Sequence, residues 1–328
     1  MKKAILKLMR SSGVFASLRE VNKHKSLILT YHRFARTEDG RSTSSAAFEE
    51  QLCYLAKHYS LIKLSTLSDS LKNGKPIERA AVITIDDGFR DVYEIAFPIL
   101  RKYSAPATFF VITDFVDQKI WLWTDKLRYV TSQLPPGPAT VSINGRQLTF
   151  ELDGRTSRME AATAINSVLK TLPSETRDAA LKEVARTLNV VIPALPTSEY
   201  GPVSWDQLIE MDQGGVEIGS HTVTHPILPN VDDEEMRWEL TTSRERLESV
   251  LKRPVPLFCY PNGSYDERTR TAVAAAGYEC AVTTKPLLNE AGSDPLTLSR
   301  VPAEQDMDHF IQTTCGFEEV KNLLRRTG

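Results

Sequence analysis

The feature that most constrains the fold is a repeated alternation between short apolar runs and helical patterns. Six apolar runs of four or five residues, rich in β-branched side chains, end in turn residues at 27–30, 81–85, 107–111, 216–219, 257–260 and 281–284. Helical patterns lie between or after them at 48–58, 91–102, 234–252 and 266–276. This alternation predicts an α/β fold with a mostly parallel sheet or barrel.

The alternation is interrupted between about 115 and 200. An Asn144-Gly145 pair between two apolar runs predicts a β-hairpin, and helical patterns follow at 157–172 and 175–188. We therefore predict an N-terminal extension over 1–25, a barrel built from 26–114 and 201–328, and an inserted α+β subdomain over 115–200. About 220 residues remain for the barrel, fewer than the roughly 250 of a typical eight-unit barrel, which favours a shortened or irregular one.

Charge and cysteine usage limit the partners and the compartment. The 40 basic and 42 acidic residues give a net charge of -2, so no global positive field favours nucleic acid as a partner. The four cysteines form no Cys-x-x-Cys pair, which predicts neither a zinc knuckle nor a redox dithiol and slightly favours a reducing compartment. Nothing in the sequence indicates an oligomeric state.

The N-terminal segment alternates apolar and basic residues. Lys7 and Arg10 interrupt it before a signal-peptide core can form, so we expect a cytoplasmic protein. The same segment has the pattern of a short basic amphipathic helix, which predicts peripheral contact with a membrane surface. The alternative is a plain N-terminal helix packed on the protein.

Two adjacent carboxylates, Asp86 and Asp87, follow the apolar run 81–85 and precede Gly88. The carboxyl ends of parallel strands are where α/β proteins place their sites, and the turn at Gly88 can direct both side chains toward one cavity. One carboxylate can then bind a metal while the other takes a proton. The alternative is that the pair only caps the helix that follows.

Two histidines, His221 and His225, follow the apolar run 216–219 and are spaced i, i+4. In a helical turn their Cβ atoms lie roughly 5–6 Å apart, close enough to share one metal ion. Together with Asp87 they make a two-histidine, one-carboxylate set with positions left for water and substrate. The alternative is a pair of unrelated surface histidines.

Two further strand ends carry polar groups. His32 follows the first apolar run, so it should reach the same rim as the carboxylates, unless it is a satisfied structural histidine. The turn Pro261-Asn262-Gly263 follows the run 257–260, and its backbone N–H groups can face a developing oxyanion. Many Pro-Asn-Gly sequences are simple turns with no such role.

In their order along the chain, these motifs resemble those of the NodB-type polysaccharide deacetylases, over roughly 27–114 and 201–300. The matching segments are Asp86-Asp87-Gly88, His221-Thr222-Val223-Thr224-His225 and Tyr260-Pro261-Asn262-Gly263. The resemblance implies a distorted (β/α)7 barrel, the NodB homology fold, here with an inserted α+β subdomain. It also implies that Asp86 is the general base and that Asp87, His221 and His225 bind a divalent metal, usually zinc.

Two departures from the family pattern reassign roles. Cys259 stands where an arginine usually opens the third motif, so Asp86 must be held from elsewhere, and Arg300 is the candidate. The late Leu-x-His motif that usually carries the catalytic acid is missing, since the sole histidine after His225 is His309 in a predicted C-terminal helix. Thr30-Tyr31-His32 resembles that motif moved to the N-terminus, as in the circularly permuted poly-N-acetylglucosamine deacetylases. His32 thereby becomes the candidate acid.

The resemblance predicts hydrolysis of an N-acetyl group from an amino sugar of a polysaccharide or glycolipid precursor. Asp86 would deprotonate the attacking water, the backbone near Asn262 would stabilise the oxyanion, and His32 would protonate the leaving amine. The expected partner is an acetylated glycan or a lipid-linked glycan. Two alternatives stay open: a hydrolase of a non-sugar amide or an O-acetyl ester, and an inactive sugar-binding scaffold.

Tryptophans are concentrated near the ends of the predicted insertion. Three of the four in the chain, Trp121, Trp123 and Trp205, lie there. We expect at least one to line the substrate groove and stack on a sugar face, the alternative being core packing.

Overall fold

The structure is a computed structural model that describes residues 2–319. The chain divides into two compact units, one made of Met1–Val116 and Pro202–Gly328 and the other of Asp117–Gly201. The insertion predicted at 115–200 covers nearly the same residues as the second unit.

The strands and helices of both units are given in chain order. The strands are β1 Leu27–Tyr31, β2 Phe34–Ala35, β3 Thr43–Ser44, β4 Ser60–Leu61, β5 Ala80–Ile85, β6 Thr108–Val111, β7 Gly137–Ile143, β8 Arg146–Leu152, β9 Glu217–Ser220, β10 Leu257–Cys259, β11 Cys280–Val282 and β12 Val301–Pro302. The α-helices are α1 Lys2–Ser11, α2 Val14–Val21, α3 Ser45–His58, α4 Leu64–Lys72, α5 Phe97–Lys102, α6 Thr113–Val116, α7 Trp123–Ser132, α8 Arg155–Leu169, α9 Ser174–Thr187, α10 Trp205–Gln213, α11 Asp233–Leu251, α12 Glu267–Ala275 and α13 Met307–Thr314. Each predicted run or helical pattern overlaps one of these elements.

The first unit is built on a parallel sheet. Its strand order is β11-β10-β9-β6-β5-β1-β12, with β4 paired to β5 at one end of that strand. A parallel bridge from Val282 to Leu298, followed by pairing of Val301 with Leu29, brings the two ends of the sheet together. The predicted α/β class and shortened barrel are therefore confirmed.

Burial explains why these strands are continuous apolar runs. Every residue of β1 and β5 is buried, as expected for strands covered on both faces. Ile28, Val82, Phe110 and Val282 share one core cluster, drawn from four different strands. Because the strands are parallel, the residues that follow β1, β5, β9 and β10 all emerge at one rim of the sheet.

The helix predicted at 91–102 is not regular. The chain forms a π-helical turn over Val92–Ala96 before the α-helix Phe97–Lys102. Pro98 has no N–H to donate to the carbonyl of Glu94, and its ring would clash with that carbonyl in a regular α-helix. The wider turn accommodates the proline.

The N-terminal helices pack on α13. Leu6 and Phe15 are buried in a cluster with Ile311 and Cys315, and Arg10 forms an ion pair with Asp308 at 3.0 Å. Leu8, by contrast, is 68% exposed. Within residues 2–319, no helix combines the length and the apolar character needed to cross a bilayer.

The second unit is an α+β subdomain with its own core. The predicted hairpin is present, with β7 and β8 paired antiparallel around Asn144-Gly145. Trp121 is buried against Tyr129 and Tyr200, and the Arg177 guanidinium lies 4.9 Å from the Trp123 ring centroid.

Trp205 belongs to the first unit. It begins α10, and the guanidinium of Arg246 lies 4.7 Å from its ring centroid. A packing role accounts for the contacts of all three tryptophans, and their stacking on a sugar stays a prediction.

Candidate active site

Asp86 and Asp87 follow β5 at a point where the backbone turns sharply. Asp87 has a φ of 79° and Gly88 a φ of 97°, both in the left-handed region. The positive φ favours glycine at position 88, where an added Cβ atom would make only ordinary contact, 3.4 Å from Val111 Cβ. After the turn, Asp86 lies beside Arg300, and Asp87 lies beside both His221 and His225.

Asp86 is paired with Arg300. The guanidinium donates from Nη1 to Oδ1 and from Nη2 to Oδ2, both at 2.7 Å, and both side chains are buried. Arg300 also donates to the Thr283 carbonyl at 2.8 Å and to Thr84 Oγ1 at 3.0 Å. Burial raises the pKa of Asp86, but Arg300 more than offsets this, and the pKa lies below its usual range. The carboxylate is therefore anionic and fixed in orientation.

Asp87, His221 and His225 converge on one point. Asp87 Oδ1 lies 3.6 Å from His221 Nε2 and 3.8 Å from His225 Nε2, distances too long for hydrogen bonds. Ligand atoms held at about 2.1 Å by a tetrahedral ion lie about 3.4 Å apart, so only a small contraction is needed. The three residues fit a divalent metal, and their donor set suits zinc.

The tautomer of His221 is fixed by a backbone carbonyl. Its Nδ1 lies 2.7 Å from the oxygen of Cys259, which can only accept a hydrogen bond, so Nδ1 carries the proton. Burial lowers the pKa of His221, but Cys259, Asp87 and Asp86 more than offset this and raise it well above its usual value. A metal bound at Nε2, on the side of Asp87, would therefore displace a proton from that atom. A hydrogen bond at the second ring nitrogen, here Nδ1, is the usual way in which a metal-binding histidine is oriented.

His225 is suited to bind as a neutral ligand. Burial lowers its pKa to about 3, with a further contribution from His221. At Asp87, burial raises the pKa of the carboxyl, but the neighbouring histidines reverse this and hold it far below its usual range. A neutral imidazole and an ionised carboxylate are the forms that a metal requires.

His221 and His225 do not lie in the helical turn for which their i, i+4 spacing was considered. The segment is a loop in which Thr222 and His225 have φ values of 71° and 66°, which no right-handed helix accommodates. Pro226 follows directly and disfavours helical backbone at His225. The histidines approach each other through this loop, with ring centroids 4.7 Å apart.

Glu239 holds that loop and was not identified from the sequence. Its buried carboxylate accepts hydrogen bonds from the backbone N–H of Val223 at 2.6 Å and of Thr224 at 3.0 Å, and from the Thr224 hydroxyl. The available signal was an acid on the buried face of α11, next to Leu240.

Cys259 contacts His221 through its carbonyl and the Asp86–Arg300 pair through its thiol. Its thiol lies 3.1 Å from Arg300 Nη2 and 3.5 Å from Asp86 Oδ2. Asp86, His221 and Cys259 form a second group of possible metal ligands. A metal there would have to displace Arg300, which already neutralises Asp86. The group of Asp87, His221 and His225 is therefore the better metal site.

His32 and Asn262 lie at the same rim. His32 Nε2 is 3.8 Å from Asp86 Oδ2, and its side chain is half exposed. Asn262 has a φ of 57° in a tight turn, where Thr284 Oγ1 donates to its carbonyl at 3.3 Å. A Cβ at Gly263 would lie 2.1 Å from that hydroxyl oxygen, so the turn requires glycine there. The structure thus brings Arg300 and His32 to Asp86, and the role of Asn262 stays a prediction.

Comparison with known proteins identifies the family of this chain. Residues 73–281 match the family described as polysaccharide deacetylase. The poly-β-1,6-N-acetyl-D-glucosamine N-deacetylase of Staphylococcus aureus is 26% identical over 258 residues, which cover 76% of this chain and 84% of that protein.

Two solved structures share the fold. The Streptococcus pyogenes deacetylase PplD, in complex with acetate, superposes with a TM-score of 0.60 at 21% identity, covering 89% of this chain and 98% of the other. IcaB from Ammonifex degensii superposes with a TM-score of 0.56 at 18% identity, covering 89% and 97%. With its fold and its family match, the chain belongs to the polysaccharide deacetylase family and is a carbohydrate deacetylase, a hydrolase.

Proposed function

We propose that this protein is a zinc-dependent N-deacetylase that releases acetate from N-acetylated amino sugars of a glycan. The observation that carries the proposal is the convergence of Asp87, His221 and His225 beside a carboxylate, Asp86, that Arg300 holds anionic. A sugar-binding scaffold has no need for a buried ionised base next to a metal set. We therefore favour an active enzyme over an inactive scaffold.

Each residue of the site has a separate role in the proposed reaction. A metal held by Asp87, His221 and His225 would polarise the acetamide carbonyl and lower the pKa of a water molecule toward about 7. Asp86 accepts a proton from the attacking water, since Arg300 leaves lone pairs on both of its oxygens. The backbone near Asn262 donates to the oxyanion of the tetrahedral intermediate.

His32 completes the reaction as the general acid. Expulsion of an amide anion is prohibitively unfavourable, so the nitrogen must be protonated as the C–N bond breaks. His32 lies 3.8 Å from Asp86, at the open side of the site, with its side chain half exposed to solvent and substrate. The products are acetate and a free amine. This assignment places the acid near the N-terminus, the permuted order that the sequence predicts.

The substrate class follows from the relatives. The S. aureus protein is named for poly-β-1,6-N-acetyl-D-glucosamine, so we propose a β-linked N-acetylglucosamine oligomer as the first substrate to test. A lipid-linked glycan precursor is the second, and the exposed Leu8 on α1 is where we propose peripheral membrane contact. All four cysteines are free thiols, which supports the proposal of a reducing, cytoplasmic location.

The test is acetate release from a panel of acetylated substrates. It contains N-acetylglucosamine oligomers, a lipid-linked N-acetylated glycan, an O-acetylated glycan and a non-sugar acetamide, each with and without chelator. Chelator-sensitive release from the N-acetylated glycans supports the proposal. Release confined to the O-acetylated glycan or the non-sugar acetamide establishes the alternative hydrolase, and no release from any member establishes the scaffold.

A further inference from the structure

The side chain of His32 is not held by any hydrogen bond within residues 2–319. Its Nε2 lies 3.8 Å from Asp86 Oδ2, beyond hydrogen-bond distance, and the side chain is 52% exposed. An acid that donates to a leaving amine must nevertheless be placed within about 1 Å of the productive position. The backbone on either side of His32 must therefore set its position.

The backbone before His32 is fixed by the barrel. Tyr31 is the last residue of β1, and its carbonyl accepts a hydrogen bond from the N–H of Asp86 at 3.0 Å. Its buried hydroxyl donates to Gln51 Oε1 at 2.8 Å. Tyr31, which precedes His32, is thus hydrogen-bonded to the backbone of Asp86.

The backbone after His32 is held by the pairing of β2 with β3, in which the Thr43 N–H donates to the Arg33 carbonyl at 2.9 Å, and by the carboxylate of Asp91. Its Oδ2 accepts a hydrogen bond from Arg33 Nε at 2.6 Å, and its Oδ1 accepts one from the backbone N–H of Phe34 at 3.1 Å. The Arg33 and Asp91 side chains are only 14% and 13% exposed, so solvent screens this pair weakly. The Arg33 guanidinium also lies 4.2 Å from the centroid of the buried Phe89 ring.

We propose that Asp91 is a positioning residue for His32, acting through Arg33 and the N–H of Phe34. Asp91 follows Asp87 by four residues and directly precedes the π-helical turn Val92–Ala96. The segment after β5 therefore carries the base, a candidate metal ligand and the residue that holds the backbone after His32. The Asp91–Arg33 clamp, meaning these two side chains and the Phe34 N–H, then sets the distance between acid and base. This inference rests on the proposed function, in which His32 protonates the leaving amine.

Leaving-group dependence separates positioning of an acid from general damage. 4-Nitrophenyl acetate expels a phenolate that leaves as an anion, so its hydrolysis uses the metal and Asp86 but needs little from His32. An N-acetylglucosamine oligomer expels an amine that must be protonated. A variant in which the acid is misplaced should therefore hydrolyse the amide more slowly and the ester at the wild-type rate.

The experiment compares zinc-loaded wild type with Asp91→Ala, Arg33→Lys and His32→Ala on both substrates. Asp91→Ala removes both acceptors, and Arg33→Lys keeps the charge but loses Nε, which provides a milder variant if Asp91→Ala folds poorly. We expect kcat on the amide to fall about 10- to 100-fold in each clamp variant, with KM and ester turnover close to wild type. The matched control is Glu94→Gln, which breaks the more exposed Arg90–Glu94 ion pair nearby. It should leave kcat and KM unchanged on both substrates.

A double variant tests whether the effect passes through His32. In a His32→Ala background, Arg33→Lys should cause no further loss on the amide, because the group it positions is already gone. Equal losses on amide and ester, or a full further loss in the double variant, would overturn the inference in favour of a structural role. Clamp variants that behave like Glu94→Gln would also overturn it.

The same data distinguish failure of the inference from failure of the proposed function. If wild type releases no acetate from the amide, the proposed function fails before any variant is compared. If His32→Ala keeps wild-type amide turnover, His32 is not the acid, and the inference about the Asp91–Arg33 clamp is wrong as well. If His32→Ala is selectively defective on the amide but the clamp variants are not, the proposed function stands and only the inference is lost.

Discussion

Arg300 donates one 2.7 Å hydrogen bond to each carboxylate oxygen of Asp86, and both partners are buried. The arginine comes from the segment that precedes β12, while the residue at the usual arginine position is Cys259, whose thiol contacts both partners. Asp86 is thus held fixed and anionic by a guanidinium from the segment that precedes β12. The energetic and catalytic consequences of this pairing can be tested separately.

Arg300→Met should destabilise the first unit strongly. The substitution leaves the Asp86 carboxylate buried without its partner, a change that typically costs about 3–5 kcal/mol. Chemical denaturation should show this loss in the free energy of unfolding. Lys72→Gln, which breaks the exposed pair with Glu279, is the control and should cost under about 1 kcal/mol. Similar small losses for both variants would show that the buried pair is not needed for stability.

Asp86→Asn should abolish the base while leaving the metal ligands in place. The amide cannot accept the proton of the attacking water at neutral pH, so kcat on an N-acetylated oligomer should fall about 10²- to 10⁴-fold. Metal content, measured by mass spectrometry, should stay at the wild-type level. Turnover close to wild type in this variant would assign the base to another residue.

The lowered pKa of Asp86 predicts how stability depends on pH. A carboxyl whose pKa is lower in the folded than in the unfolded chain stabilises the protein above its unfolded value, near 3.8, and this contribution is lost as pH falls through the folded value. The free energy of unfolding of wild type should therefore decrease more steeply below about pH 4 than that of Asp86→Asn. Parallel pH curves for the two proteins would contradict the pairing.

Glu239→Ala should weaken metal binding without removing any ligand. The substitution deprives the Val223 and Thr224 N–H groups of their acceptor and frees the loop between His221 and His225. Loss of such a supporting contact typically lowers metal affinity about 10- to 100-fold. Calorimetric titration of the metal-free protein with zinc measures this affinity directly. Glu235→Ala, on an exposed position of the same helix, is the control and should bind zinc as wild type does.

The sequence was informative wherever side chains follow a buried parallel strand. Asp86, His221 and His32 lie at one rim because β5, β9 and β1 run in the same direction, and apolar runs followed by turns are enough to predict that. The pairing of Arg300 with Asp86 was predicted because Cys259 stands where the family usually has an arginine. The shared rim needed only strand direction, whereas the Arg300 assignment came from the resemblance to the deacetylase family.

Other features depend on contacts between distant segments. Glu239 on α11 holds the loop between His221 and His225, and no pattern within those five residues predicts this contact. The Asp91–Arg33 clamp joins two segments 58 residues apart. Only the folded chain brings such partners together.

The most direct test of the account is acetate release from a β-linked N-acetylglucosamine oligomer by one preparation measured as purified, after chelation, and after zinc is restored, with metal content determined at each stage. The account predicts that activity and zinc are lost together and return together, and that the His221→Ala, His225→Ala double variant recovers neither. Undiminished acetate release from metal-free wild type, or full zinc occupancy in the double variant, would contradict it.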